Sequence, residues 1–249
     1  MKYRLTKETF QFNGYILHRI ECVTAFAHVK VGDKGGWIES EANLSQYGDA
    51  WVCGNAKVCG NAKVCGDAKV CGDAKVYGNA EVYGNAEVCG DAKVYGDAEV
   101  CGNAEVCGDA KVCGNAEVCG NAEVCGNAEV YGDAKVCGDA WVYDNAEVYG
   151  DAKVCGDAKV CGNAEVCGNA KVYGNAEVYG NADYIVFKNW WSSGRYFTWT
   201  RSNNKWRVGC FYGTGEELIA KAYKDSEVSG REYQRVVDYV NSILQEGKI

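Results

Sequence analysis

The sequence predicts a mainly β fold: a parallel β-helix of about seven turns, with an N-terminal β cap over residues 1–46 and a small C-terminal α+β domain over residues 183–249. Three observations lead there. Over residues 47–182 one six-residue unit, Val-(Cys/Tyr)-Gly-(Asn/Asp)-Ala-(Lys/Glu), runs in phase from Val52 to Val178, and a hexapeptide period is a signature of stacked β coils. Alternation within the unit puts Ala56 and Val58 on one side of the chain and Lys57 on the other, so the small apolar pair faces in. Proline is absent from the whole chain, which suits a ladder that needs nearly every N–H.

The corners follow from the same unit. Gly54-Asn55 and its copies supply residues that tolerate positive φ where the chain turns sharply. Asp144 stands where the unit has glycine, and aspartate is one of the few side chains that can sit there. The pattern resembles the left-handed parallel β-helix of hexapeptide-repeat proteins, in which an aliphatic residue and a small residue four places later point into a triangular core. Val52 with Ala56 and Val58 with Ala62 match it. The resemblance implies three units per turn. The 22 valines from Val52 to Val178 then make a rod about 35 Å long at the usual strand spacing.

Composition narrows the function classes. A formal charge of −8 and a pI near 5.0 do not point to nucleic acid, and a DNA partner is unlikely on this balance. No apolar run reaches the length of a membrane span. The opening Met-Lys-Tyr-Arg-Leu-Thr is charged and lacks an apolar signal segment, so a cytoplasmic protein is expected. Fourteen of the sixteen cysteines occupy one repeat position shared with tyrosine, and free thiols in a reducing compartment are the expectation. A disulfide between residues one turn apart, such as Cys107 and Cys125, is the alternative. Soft-metal binding along the column is a lesser one, because tetrahedral ligand spacing is not visible in the sequence. No cofactor and no metal is expected.

The first 46 residues read as the cap that an open first coil requires. Tyr3, Leu5, Tyr15-Ile16-Leu17 and Ile20 suggest short strands with a turn at Asn13-Gly14. The stretch from Val29 to Ile38 reads as the lead-in, with Trp37 as a lid over the first turn. His18 and His28 read as cap residues. This opening, with Asn43-Leu44-Ser45 and the Gly-Asn-Ala-x-Val repeats, and the segment Val208-Gly209-Cys210-Phe211-Tyr212-Gly213-Thr214 before a helix, resemble a group of bacterial, phage and prophage hexapeptide-repeat proteins. That resemblance implies no activity; a phage origin implies interference with a host factor.

Every third unit shares a face, and the outward residues then form blocks. Face one carries Lys57, Lys75, Lys93 and Lys111, then Glu129, Glu147 and Glu165. Face two carries Lys63, then Glu81, Glu99 and Glu117, then Lys135, Lys153 and Lys171. Face three reads Lys69, Glu87, Glu105, Glu123, Trp141, Lys159 and Glu177. Like charges stacked at one strand spacing repel. Face one complements itself when two rods lie antiparallel across a two-fold axis, so a homodimer is one expectation, and blocks left by recent repeat duplication on a solvated surface are the other. Trp141, the sole aromatic in these columns, is a candidate interface anchor.

From Asp183 the composition changes. Tyr184 to Phe187, Arg195 to Thr200 and Lys205 to Phe211 read as strands, the last two joined at Asn203-Asn204. Thr214 with Glu217 and Ser229 with Glu232 read as capping boxes that open two helices, and Tyr233, Val236, Val237, Val240, Ile243 and Leu244 make the apolar stripe of the second. Trp190, Trp191, Trp199 and Trp206 lie among Arg195, Arg201 and Arg207. Stacking and guanidinium groups together suit a small nucleotide-like ligand, whereas alternation along the strands also allows several of these tryptophans to pack under the helices.

The resemblance also identifies what is missing. Many left-handed β-helix proteins are acyltransferases with a histidine base on the coil, and others are zinc carbonic anhydrases with three. This chain has two histidines, His18 and His28, neither in the repeats. The recurring Gly-Asp shares its position with Gly-Asn, so the corner needs a short hydrogen-bonding side chain more than a charge. No phosphate-loop spacing opens a helix. The sequence therefore predicts no enzyme but a scaffold or blocker that meets a protein partner. A module sequestering a nucleotide-like signal is the second reading and an atypical acyltransferase the third.

Overall fold

A computed structural model describes residues 1–246. The alanines and valines of the repeat are buried without exception, from Ala56 to Val178, and they form one continuous core. Each strand pairs in parallel with the strand 18 residues on: Lys57 faces Lys75 and Val58 faces Val76. The backbone carries this register round the coil. Lys57 N donates to Ala74 O at 2.9 Å on the flat, and Asn55 N to Gly72 O at 2.8 Å at the corner. Three parallel ladders result, one for each face.

Each buried valine contributes roughly 1.5–3 kcal/mol of apolar burial, so the stack is stable as a sum over neighbouring levels. Glycine holds the corners for a specific reason. At Gly54 φ is +62°, and a Cβ would stand 3.0 Å from the carbonyl oxygen of Gly72 on the next level. Asp144 adopts φ +61° at the equivalent corner, as expected of that substitution.

The rod gains a level that the valines do not announce. Trp37 pairs with Lys57 and Ile38 with Val58, while Leu44 bridges to Val64. With the Leu44 bridge counted, each of the three faces therefore carries eight parallel levels. Leu44 pairs 20 residues ahead (64 − 44), but Val52 pairs 18 ahead (70 − 52). The first level thus contains two extra residues, and these are Gln46-Tyr47. Gln46 uses the bulge to hold the cap, accepting from Lys2 N at 2.8 Å and donating to Tyr3 O at 3.2 Å.

The cap is a hairpin of β1 (Tyr3–Phe12) and β2 (Tyr15–Cys22), turned by Asn13 and Gly14 at φ +48° and +85°, followed by β3 (Lys34–Ile38). Strand β2 pairs antiparallel with β3, which hands the chain to the parallel ladder. Trp37 is not the lid. It stands in the outward column, with the Phe10 ring 5.6 Å and the Arg19 guanidinium 5.0 Å from its own. The plug is built by Tyr3, Ile20 and Cys22, all buried against the first level.

The far end is closed by a four-stranded antiparallel sheet, Tyr184–Lys188, Tyr196–Thr200, Lys205–Val208 and Phe211–Gly213. Helices α1 (Gly215–Asp225) and α2 (Glu227–Gln245) follow it. The strand expected over Lys205 to Phe211 breaks into two at Gly209, whose φ is +57°. The expected capping box of α1 is present: Glu217 N donates to Thr214 Oγ1 at 3.2 Å, and Thr214 N to Glu217 Oε2 at 2.8 Å. Helix α2 begins earlier than Ser229-Glu232 suggested. Ser226 is its cap and accepts from Ser229 N at 3.1 Å, while Glu232 pairs with Arg235 one turn on. Among the described residues no helix is long and apolar enough to cross a membrane.

Both ends satisfy the backbone groups of the terminal levels with side chains. At the far end one outward residue on each face needs an acceptor, and each finds one. Glu165 N donates to Asn181 Oδ1 at 2.8 Å, Lys171 N to Thr198 Oγ1 at 2.8 Å, and Glu177 N to Ser202 Oγ at 2.7 Å. At the near end carbonyls are capped instead. Lys2 Nζ donates to Ala50 O at 2.7 Å, Tyr3 OH to Leu44 O at 2.6 Å, and Asn43 Nδ2 to Ala62 O at 2.9 Å. Unpaired strand edges would otherwise invite further coils or other chains.

Candidate functional site

The outward columns stand in the register expected of them. On face one Lys57, Lys75, Lys93, Lys111, Glu129, Glu147 and Glu165 follow one another level by level. The two blocks meet in the ion pair Lys111–Glu129, and Glu129 holds the Lys111 ammonium above its ordinary pKa. Lys57 is covered by the hairpin, with its Nζ 5.4 Å from the Phe10 ring centre; burial, then Lys75, lowers its pKa. Beyond the junction the glutamates are fixed in place. Tyr131 and Tyr149 stack with centroids 4.9 Å apart and donate to Glu147 at 2.8 Å and Glu165 at 3.1 Å. Lys75, Lys93, Lys111 and Glu129 line a shallow depression of about 310 Å³ together with Asp91 and Asp109.

Three block boundaries on the other faces are bridged as well, Lys63–Glu81 and Lys135–Glu117 on face two and Lys159–Glu177 on face three. Such exposed pairs contribute about 0–1 kcal/mol each. Trp141 is 43% exposed, with Lys159 Nζ 5.9 Å from its ring centre.

The tryptophans and arginines of the C-terminal domain do not converge on one surface. Trp199 and Trp206 lie in the second core with Phe197, Leu218 and Val240, where they offer no face to a ligand. Trp199 Nε1 is satisfied by Asn204 Oδ1 at 2.8 Å. Trp191 is half-buried, packed edge-on against Tyr233 at 5.7 Å, and Trp190 is 80% exposed. The Arg207 guanidinium lies 4.3 Å over the Tyr173 ring, in the seam with the rod. Arg201 is exposed at the hairpin. Arg195 lines a cavity of about 340 Å³ that it shares with Phe211, Lys221, Asp225 and Tyr233.

The cysteines are not all free. Cys137 and Cys155, one level apart with Cα atoms 4.7 Å apart, are disulfide-bonded, whereas Cys107 and Cys125 are free thiols. The geometric argument for a rung-to-rung disulfide holds, but for a different pair. A hydrogen bond from Cys71 pulls the Cys53 thiol down to about 7, while burial pushes Cys59 up to about 11. At one corner Cys53, Cys71, Cys89, Cys107 and Cys125 occupy five consecutive levels. There Cys71 Sγ, Cys89 Sγ and a Glu87 carboxylate oxygen lie within 4.8 Å of one another, a cluster the sequence reading missed. The signal was a Glu-Val-Cys unit preceded by cysteine 18 positions earlier, recognisable only once the turn length is known.

His18 sits in the hairpin with Nδ1 3.3 Å from Thr6 O, and His28 is exposed in the cap. Fold and surfaces together define a parallel β-solenoid repeat protein with both ends closed. No protein-family model and no curated protein matches the chain.

Proposed function

We propose that this protein is a non-enzymatic, rigid scaffold of the left-handed hexapeptide type, whose charged faces bind protein. A phage or prophage origin, a cytoplasmic setting and the blocking of a host factor belong to the same reading and rest on the resemblance of the opening and C-terminal segments. The observation that carries it is face one. Four lysines and three glutamates stand on a flat, rigid ladder about 29 Å long, and the glutamates are held in place, Glu147 and Glu165 by tyrosines and Glu129 by Lys111. Steering and register selection by such a pattern favour one partner geometry over others.

The same face supports an antiparallel homodimer. A two-fold axis near Lys111 sets Lys75 against Glu147 of the second copy and Lys93 against Glu129 of the second copy, while the hairpin over Lys57 flanks the contact. Two measurements test the reading. Native mass spectrometry of the protein isolated from its own cells shows a co-purifying protein or a second copy. Sedimentation at low and high salt shows association that weakens with ionic strength; a monomer without partner under every condition rejects it.

One observation favours a second reading, sequestration of a nucleotide-like signal. The cavity beside α1 brings Arg195 and Lys221 together with Phe211 and Tyr233, cations and rings suited to a small anionic aromatic molecule. A small molecule, in place of a protein, released from the native complex selects this reading.

A further inference from the structure

We propose that the cysteine corner is a metal site, in which Cys71, Cys89 and Glu87 bind a thiophilic divalent ion of the zinc class. The three donor atoms already lie within 4.8 Å of one another, and Cys71 Sγ stands 3.7 Å from Glu87 Oε1. A tetrahedral ion with sulfur at about 2.3 Å places two thiolates roughly 3.8 Å apart. The sulfurs need only a modest approach by side-chain rotation. The Cys137–Cys155 pair, in the same one-level relation, shows that rotation can carry such sulfurs further still, into a covalent bond.

The backbone beneath the donors is fixed. Cys71 N donates to Val88 O at 2.9 Å, which locks the two levels together. Glu87 is also available. At four other boundaries between lysine and glutamate blocks the carboxylate is engaged by lysine, but Glu87, which follows Lys69 on face three, takes part in no ion pair among the described residues. Its carboxylate turns to the thiols instead.

Donor chemistry selects the ion. Two sulfurs exclude magnesium and calcium, which take oxygen ligands, and favour zinc or another soft ion. Binding releases the two thiol protons to solvent as two metal–sulfur bonds form, and the carboxylate supplies the third bond. All three side chains are half-buried, so three protein donors leave the fourth position open to solvent, the pattern of an exchangeable site.

The test uses the full chain with its Cys137–Cys155 disulfide intact, held under anaerobic conditions and titrated with Co(II), then Zn(II). The expected result is a sulfur-to-cobalt charge-transfer band that saturates at one equivalent and is displaced by zinc. The band disappears in the Cys71→Ser/Cys89→Ser double variant and weakens in Glu87→Gln, a surface change that spares the core. It persists in Cys101→Ser/Cys119→Ser, where the neighbouring Glu117 is engaged by Lys135. Absence of the band, its survival in Cys71→Ser/Cys89→Ser, or its equal loss in Cys101→Ser/Cys119→Ser overturns the proposal.

Discussion

At the residue scale the repeat makes chemically identical side chains unequal. Cys53 and Cys59 occupy the same position in adjacent units, yet Cys71 donates to the first and burial isolates the second. Because the thiolate is the nucleophile, alkylation of Cys53 rises through about pH 7, while Cys59 stays inert until about pH 11. Mass-spectrometric mapping of iodoacetamide adducts against pH checks this, and Cys71→Ala shifts the Cys53 profile upward by removing its donor. The corner at Asp144 makes a second case. With φ at +61°, Asp144→Val costs about 1–2 kcal/mol because a branched Cβ meets the backbone carbonyl in that conformation. Asp144→Gly is tolerated, and denaturant unfolding of the two variants separates them.

At the scale of elements, the ends matter more than the middle. Any interior coil is held by the levels on both sides, so replacing one with its neighbour's sequence changes little. The last coil has no such neighbour, and Asn181, Thr198 and Ser202 supply the oxygens that a further level would have given. Thr198 is buried. Thr198→Val keeps the shape but leaves the Lys171 N–H unsatisfied, a loss of about 1–3 kcal/mol. Hydrogen exchange checks it: the Lys171 amide exchanges faster in the variant, whereas the mid-rod Lys111 amide, bonded to Ala128 O at 2.9 Å, keeps its protection.

At the scale of the whole molecule, charge is arranged by level rather than by sequence neighbourhood. Face one separates its positive and negative halves along the rod, so an antiparallel partner meets opposite charge on both sides of the junction. Lys75→Glu with Lys93→Glu removes that complementarity and abolishes low-salt dimerisation in sedimentation; joined with Glu129→Lys and Glu147→Lys it restores it. A single charge reversal that leaves association untouched rejects face one as the contact.

Much of this was legible from the chain, for a physical reason. Period-two alternation inside a period-six unit admits few folds, and it placed every repeat valine and alanine in the core, glycine or Asp144 at each corner and each charge in its column. The capping box at Thr214, the hairpin at Asn13-Gly14 and the turn at Asn203-Asn204 were equally local and equally readable. What the residues could not declare were contacts between segments of unlike sequence. Trp37 read as a lid from its place at the end of the lead-in to the first coil, but its position was set by pairing with Lys57, which turned it outward. Trp199 and Trp206 read either as ligand groups or as residues packed under the helices, and only the docking of α1 and α2 decided for the core. The approach of Cys71, Glu87 and Cys89 depends on one coil lying above another. Local stereochemistry and periodic burial thus determined the solenoid, because they act within a few residues; its plug, its closed ends and its sulfur corner were decided only when distant segments packed together.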